Sequence, residues 1–194
     1  MHGLASPIAP RSVGLAARGG DRETALRRRP RRTRQWLALA LAGVALAGYN
    51  AIATWQSSHA FMINASESLP HWAFFVTQGK APARGEYVFF LPPRNELVLR
   101  HFGPDQGPFG KQVIGLPSAM IEHRGDTVYV DGIRHARMKP RTRTGEALHP
   151  GPTGIVPQGC YYVGTPHRDG FDSRYAEIGY ACTDRILGTG VPVL

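Results

Sequence analysis

The chain has 194 residues and a formal charge of +9, and its length suffices for one domain of ordinary size with an appendage. Nine arginines and only two acidic residues lie in positions 1–35, so this tail carries +7 and the rest of the chain carries +2. A strongly basic folded body is therefore excluded, because the high pI is a property of the tail.

An apolar segment follows the basic tail. Residues 36–53 contain no charged side chain, and as a helix they would rise about 27 Å, enough for one bilayer crossing. Arginines directly before such a span favour a cytoplasmic N-terminus and an exported body. A nucleic-acid-binding arm is the alternative for the arginines, but their position against the span favours the topological role. We predict a basic cytoplasmic tail (1–35), a transmembrane signal anchor (36–55) and an exported domain (56–194), with membrane lipid and no nucleic acid as partner.

Two alternatives for the apolar segment stay open. Ala45-Leu46-Ala47 has the small residues at which a signal peptide could be cleaved. A core helix is the second alternative, because Gly43, Gly48 and Asn50 weaken the hydropathy of the segment. We favour an uncleaved signal anchor.

Beyond about residue 60 the chain consists of short β-type runs separated by Gly and Pro. The predicted strands are Trp72–Val76, Tyr87–Leu91, Glu96–Arg100, Gln112–Leu116, Met120–Arg124, Thr127–Val130, Tyr161–Gly164 and Ile186–Val191. Gly125-Asp126 and Asp131-Gly132 are hairpin turns by composition, which predicts a three-stranded meander over Ile121–His135. No convincing amphipathic helix follows the span, and the polar stretch Lys139–Pro152 is predicted to be an exposed loop. The body is therefore predicted to be all-β, mainly of antiparallel sheets, behind one N-terminal transmembrane helix.

A serine and a lysine carry the chemistry predicted for this body. A serine nucleophile needs a base to take its proton, and a lysine can do so only when burial holds it neutral. The chain is rich in arginine, which cannot act as a base, and has just three lysines. Lys111 stands in the apolar run KQVIGLP, and Ser68 stands in the segment SESLP after the span. Together these two residues indicate a serine/lysine hydrolase.

Three motifs, in this order, resemble those of the type I signal peptidase family. They are Asn64-Ala65-Ser66-Glu67-Ser68-Leu69-Pro70, then Lys111-Gln112-Val113-Ile114-Gly115-Leu116-Pro117, then Gly164 with Asp172-Ser173-Arg174-Tyr175. The first motif is similar to the Asn-x-Ser-x-Ser-x-Pro pattern of the TraF-type conjugative-transfer peptidases, which mature pilin precursors. The resemblance covers roughly residues 60–194 and implies a signal-peptidase-like fold.

The resemblance implies a catalytic role for three residues. Ser68 would be the nucleophile that attacks the scissile carbonyl, and Lys111 would be the general base that takes its proton. Ser66 would help the Ser68 backbone N–H to stabilise the oxyanion.

The resemblance also implies a supporting group. Asp172 and Arg174 would pair near the site and, with Ser173 between them, support the strand that carries the lysine. Relatives often place a serine two positions before the aspartate to orient the lysine, but here Gly170 stands there. Ser173 or Thr165 could take over that role.

The cysteines and histidines bear on stability and on metals. Cys160 and Cys182 flank the Asp172 motif and are a disulfide candidate in an exported domain, worth about 3 kcal/mol by chain entropy. The eight histidines are scattered without metal-ligand spacing, so no metal and no cofactor are predicted.

The predicted function is that of a membrane-anchored serine endopeptidase. It would process exported pilin-like or signal-peptide-bearing precursors in conjugative transfer or type IV secretion, from the periplasmic face of the bacterial inner membrane. Resemblance to some TraF-type enzymes implies a further outcome, in which the substrate's own amine resolves the acyl-enzyme and gives a cyclic pilin. A general type I signal peptidase is one alternative. An inactive secretion-apparatus component with the same fold is another, kept open by Gly170 and by Ser118-Ala119 in place of the usual Gly-Asp.

Overall fold

The computed structural model describes residues 31–64 and 68–193 of the chain. The chain divides into two compact units, one ending at Tyr49 and the other beginning at Asn50. Most of the predicted cytoplasmic tail, residues 1–30, lies outside the described residues.

Helix α1 runs over Arg31–Ser58. Its segment Arg32–Ser58 is long and apolar enough to cross a membrane, and it is the one such helix in the described part of the chain. This helix is consistent with a single-pass membrane anchor. It extends beyond the predicted span of 36–55 at both ends, because backbone hydrogen bonds continue a helix through polar side chains as well as apolar ones.

The part of the chain from Asn50 onward is a β structure with one short helix. The strands are β1 (His59–Ile63), β2 (Ala73–Thr77), β3 (Tyr87–Phe90), β4 (Phe109–Gly115), β5 (Met120–Arg124), β6 (Thr127–Val130), β7 (Ile133–Arg137), β8 (Gly154–Ile155), β9 (Cys160–Gly164), β10 (Ala181–Cys182) and β11 (Ile186–Pro192). They form a seven-stranded sheet in the order β1-β2-β11-β3-β4-β9-β10 and a four-stranded sheet in the order β7-β6-β5-β8. Each pairing between these described strands is antiparallel. The predicted all-β, antiparallel class behind an N-terminal helix is confirmed.

One predicted strand is wrong. Residues predicted as the strand Glu96–Arg100 belong to helix α2, which runs over Glu96–Phe102. The Asn95 side chain caps the helix by accepting a hydrogen bond from the Val98 N–H at 3.0 Å, and Gly103 ends it at a positive φ of 81°. These two capping residues outweigh the short apolar run Leu97–Leu99, which is equally compatible with a strand. The expectation that no helix follows the membrane span is therefore also wrong.

Strand β1 was missed because the chain enters it directly from helix α1, without a turn signal. It pairs with β2 in the register His59↔Thr77 to Ile63↔Ala73. The predicted meander is confirmed, since β5, β6 and β7 pair consecutively. The short strands β8 and β10 have two residues each, too few to leave a periodic pattern in the sequence.

Three buried clusters form the core. The largest packs beside β3, β4 and β9, the second lies beneath the meander, and the third contains Leu69, Phe74, Val76 and Phe89. The third cluster includes the residue that follows Ser68, so the proposed nucleophile segment is tied to the core through Leu69.

Candidate active site

Strand β4 carries Lys111 into the interior. Residues Lys111, Val113 and Gly115 are buried, whereas the residues between them are partly exposed, as the two-residue repeat of a strand requires. On the neighbouring strand β3 the partner of Lys111 is Val88, which is fully buried. Lys111 is 5% exposed, so its amino group lies among protein atoms.

Burial lowers the pKa of the Lys111 ammonium group, because the charged form loses its solvation. The negative charge of Asp172 opposes this effect and Arg174 reinforces it. The ring of Phe109, with its centroid 5.9 Å from Nζ, adds to the apolar surroundings. The net lowering favours the neutral amine, which is the form of lysine that can accept a proton.

Gly110 brings the serine segment against the lysine strand. A Cβ at this position would lie 2.9 Å from Phe89 Cε1 and 3.2 Å from Leu69 Cδ1, so only a glycine leaves room for these side chains. Leu69 follows Ser68, and Gly110 precedes Lys111. The contact between Leu69 and Gly110 therefore brings Ser68 and Lys111 into the same region.

The Asn64 side chain holds the chain that follows Ser68. Its Nδ2 donates hydrogen bonds to the carbonyl oxygens of Leu69, at 3.2 Å, and of His71, at 2.9 Å. Its backbone N–H donates to Trp72 O at 2.7 Å. Asn64 thus folds the segment after Ser68 back against the end of β1.

An ion pair between Asp172 and Arg174 is buried beside the lysine strand. Arg174 Nε donates to Asp172 Oδ1 and Nη2 donates to Oδ2, both at 2.8 Å, in a bidentate geometry. Their side chains are 0% and 1% exposed. Both charges also act on Lys111, so the pair contributes to the electrostatic environment of its amino group.

Ser68 and Lys111 line the same open cleft. Its volume is about 1000 Å³. Apolar side chains contribute much of its wall, among them those of Met62, Ile63, Leu69, Phe89, Phe102, Phe109 and Phe171. Such a cleft is suited to an extended peptide with apolar side chains.

Three of the remaining predicted residues are placed by the structure, and a fourth, Ser66, lies outside the described residues. Ser173 is fully buried, but its hydroxyl accepts from Val163 N–H at 2.9 Å and donates to Gly179 O at 2.6 Å. Ser173 therefore links strand β9 to the loop that contains Gly179. Cys160 and Cys182 form a disulfide bond that joins β9 to β10.

The position of Gly170 has no space for a side chain. A Cβ there would lie 2.2 Å from Thr165 Cγ2 and 2.9 Å from both Arg174 Nη2 and Asp172 Oδ2. The volume next to Gly170 is occupied by Thr165, whose hydroxyl donates a hydrogen bond to the carbonyl oxygen of Ser68.

Sequence reasoning missed the contributions of Asn64 and Gly110. Asn64 is the first residue of the Asn-x-Ser-x-Ser-x-Pro motif, and the signal for its contribution is that an asparagine before a turn commonly binds nearby backbone. The signal for Gly110 is a glycine within a strand, because such a glycine often marks a close approach by another part of the chain. Among residues 31–64 and 68–193, no three histidine, cysteine or acidic side chains gather where they could hold a metal ion.

The chain belongs to the family "Signal peptidase, peptidase S26", which matches residues 33–194. It is 28% identical over 146 residues to the conjugal transfer protein TraF of Agrobacterium fabrum (strain C58 / ATCC 33970), over 69% of this chain and 81% of that protein. A signal peptidase I from Enterococcus faecalis V583 has 25% identity and a TM-score of 0.37, over 57% of this chain and 97% of the solved one. The resemblance predicted from the motifs, to this family and to its TraF-type branch, is confirmed.

Proposed function

We propose that this protein is a membrane-anchored serine endopeptidase in which Ser68 is the nucleophile and Lys111 is the general base. One observation carries the proposal: Lys111 is buried with a lowered pKa in the cleft that Ser68 also lines. A lysine with no chemical role would be expected to extend to solvent, because burying its charge is costly. Membership of the signal peptidase family supports the same assignment.

The proposed reaction has two stages. In the first, Ser68 Oγ transfers its proton to the neutral Lys111 Nζ and bonds to the scissile carbonyl carbon. The C–N bond then breaks, and the leaving amine takes the proton back from Lys111, which leaves an ester on Ser68. In the second stage a water molecule gives a proton to Nζ and bonds to the ester carbon. The bond between that carbon and Ser68 Oγ then breaks, Oγ takes the proton from Nζ, and the carboxylic acid is released with Ser68 and the neutral lysine restored.

The developing oxyanion needs hydrogen-bond donors during both stages. The Ser68 backbone N–H and the Ser66 hydroxyl are proposed for this task. Losing one donor of this kind typically raises the barrier by about 3–4 kcal/mol.

The proposed substrates are exported pilin-like precursors. The similarity to a conjugal transfer protein supports this class over general signal-peptide removal. Helix α1 would hold the enzyme in the inner membrane with its N-terminus in the cytoplasm, since an arginine-rich segment before a span favours that orientation. The cleft would then face precursors on the periplasmic side.

The intact mass of the pilin-like protein of the same transfer system tests the proposal. It is compared in cells that carry the wild type, Ser68→Ala or Lys111→Ala, with Lys80→Ala as the matched control. Lys80 is an exposed lysine that pairs with Glu86 on the surface. A shortened product with the wild type and with Lys80→Ala only is the expected result.

Each alternative has its own signature in this experiment. A product lighter by one further water indicates that the substrate's amine resolved the acyl-enzyme and closed a ring. Equal precursor mass in all strains contradicts the proposal for this substrate class. Equal processing by the wild type and Lys111→Ala contradicts the assignment of the base.

A further inference from the structure

Thr165 connects three parts of the candidate site. It follows the last residue of β9 and is 1% exposed. Its hydroxyl accepts a hydrogen bond from the His167 N–H at 3.1 Å and donates one to the carbonyl oxygen of Ser68. Because a carbonyl oxygen can only accept, the hydroxyl proton points to Ser68, 97 residues earlier in the chain.

The backbone of Thr165 is itself fixed by the buried ion pair. Its N–H donates to Asp172 Oδ2 at 3.1 Å, and its carbonyl accepts from Arg174 Nη2 at 2.9 Å. Asp172 and Arg174 are held in turn by their two mutual hydrogen bonds. The hydroxyl of Thr165 therefore projects from a backbone whose N–H and carbonyl are both bonded to the ion pair.

The methyl group of Thr165 is also confined. It fills the space beside Gly170, where a Cβ would lie only 2.2 Å from Cγ2. The threonine side chain therefore makes two contacts from one carbon: its methyl group packs against Gly170, and its hydroxyl binds the Ser68 carbonyl.

Two neighbouring side chains bind other parts of the main chain. The Ser173 hydroxyl is engaged with Val163 and Gly179. The Asn64 carboxamide holds the carbonyls of Leu69 and His71, beyond Ser68.

We infer that Thr165 is a positioning residue, whose hydroxyl fixes the main chain of Ser68 and so holds the serine side chain in the cleft it shares with Lys111. The inference rests on the proposed role of Ser68 as nucleophile. Thr165 touches no substrate in this scheme, and it acts only through the Ser68 backbone. It links the ion pair to the nucleophile, so the Asp172–Arg174 pair supports both reacting residues.

The test compares three variants of the full-length chain in detergent micelles. Thr165→Val keeps the shape and loses the hydroxyl, and Thr165→Ser keeps the hydroxyl. The matched control is Thr189→Val, at a buried threonine of strand β11. The probe is a quenched fluorescent peptide with an Ala-x-Ala cleavage site.

A positioning role predicts a specific kinetic pattern. Thr165→Val should lower kcat by about 10-fold to 100-fold, since small misplacements of a reacting group have effects of this size. KM should change by less than about twofold, because uniform substrate binding is not affected. Thr165→Ser and Thr189→Val should stay close to the wild type. Wild-type kcat in Thr165→Val, or an equal loss in Thr165→Ser, overturns the inference.

Hydrogen exchange gives a second readout that needs no substrate. Thr165→Val should speed amide exchange in peptides that cover residues 68–76, whereas Thr165→Ser should leave it unchanged. If the wild type does not cleave the peptide, or Ser68→Ala cleaves it equally well, the proposed function fails with that probe, and exchange alone decides the role of Thr165. Equal exchange rates in the wild type and Thr165→Val then overturn the inference.

Discussion

The side chain of Leu69 packs against the backbone of Gly110. This contact sets the residue after Ser68 directly beside the residue before Lys111, although the two segments are far apart in the chain. It depends on a glycine, because a Cβ at residue 110 would come within 3.2 Å of Leu69 Cδ1. The geometry of the candidate catalytic pair thus depends on the absence of a side chain at residue 110, in the strand that carries Lys111.

Gly110→Ala should displace Leu69 and Phe89 and move Ser68 relative to Lys111. We expect kcat to fall by about 10-fold or more, and the free energy of unfolding to fall by about 1–3 kcal/mol from overpacking. Steady-state kinetics and denaturant unfolding measure the two effects. Gly48→Ala in helix α1, where nothing lies within 4 Å of the added carbon, is the control. Wild-type kinetics in Gly110→Ala would refute the importance of this contact.

Lys111→Met should abolish activity and raise stability near neutral pH. Burial lowers the pKa of Lys111 below its ordinary 10.5, so the unfolded chain binds the proton more tightly than the folded one. The resulting penalty is fully present below the folded pKa, shrinks as pH rises between the two pKa values, and vanishes above the unfolded one. Replacing the lysine should therefore raise the free energy of unfolding at neutral pH by about 0.5–2 kcal/mol, the size of a typical single stabilising substitution. Denaturant unfolding at neutral pH and above pH 10.5 checks this, and an equal gain at both pH values would contradict it.

The rate of peptide cleavage should rise with pH, with a midpoint below 10.5. The acid limb reports deprotonation of Lys111, because only the neutral amine can take the serine proton. The pH profile of kcat/KM gives this pKa for the free enzyme. A rate that stays constant from neutral into acidic solution would exclude Lys111 as the base.

Asp172→Asn should be strongly destabilising. It leaves the buried Arg174 guanidinium without its counter-charge, which typically costs about 3–5 kcal/mol. The same change at Asp126, whose pairing with Arg137 lies on the surface, should have little effect because water screens exposed pairs. Thermal or denaturant unfolding of both variants makes the comparison. Similar losses at the two sites would show that burial does not set the contribution of the pair.

Removing the disulfide should loosen the segment that carries Asp172. Cys160 and Cys182 are 22 residues apart, and opening a loop of this size should lower stability by about 3 kcal/mol. Unfolding of the Cys160→Ser/Cys182→Ser variant, and of the wild type with and without reductant, measures this. Reductant should destabilise the wild type alone. An unchanged unfolding midpoint in the variant would mean that the bond contributes little.

The local sequence was sufficient wherever the structure follows a short-range pattern. Strands β5 and β6 begin and end where the short β-type runs and the turns Gly125-Asp126 and Asp131-Gly132 predicted. It failed at α2, where the capping residues Asn95 and Gly103 decided the outcome. Three apolar residues between Glu96 and Arg100 fit a short helix as well as a strand, and Val98 also packs in the core in the helical form.

The sequence by itself determined the apolar helix that is long enough to cross a membrane, the all-β class of the body and the candidate serine and lysine. Each is encoded by composition, by a repeat of two residues or by a motif that is contiguous in the chain. The tertiary structure alone decided that Lys111 points into the interior, that Gly110 admits Leu69, and that Thr165 binds the carbonyl of Ser68. The last two features join segments about 40 and about 100 residues apart, and contacts over such separations leave no periodic trace in the sequence because they depend on how the sheets pack.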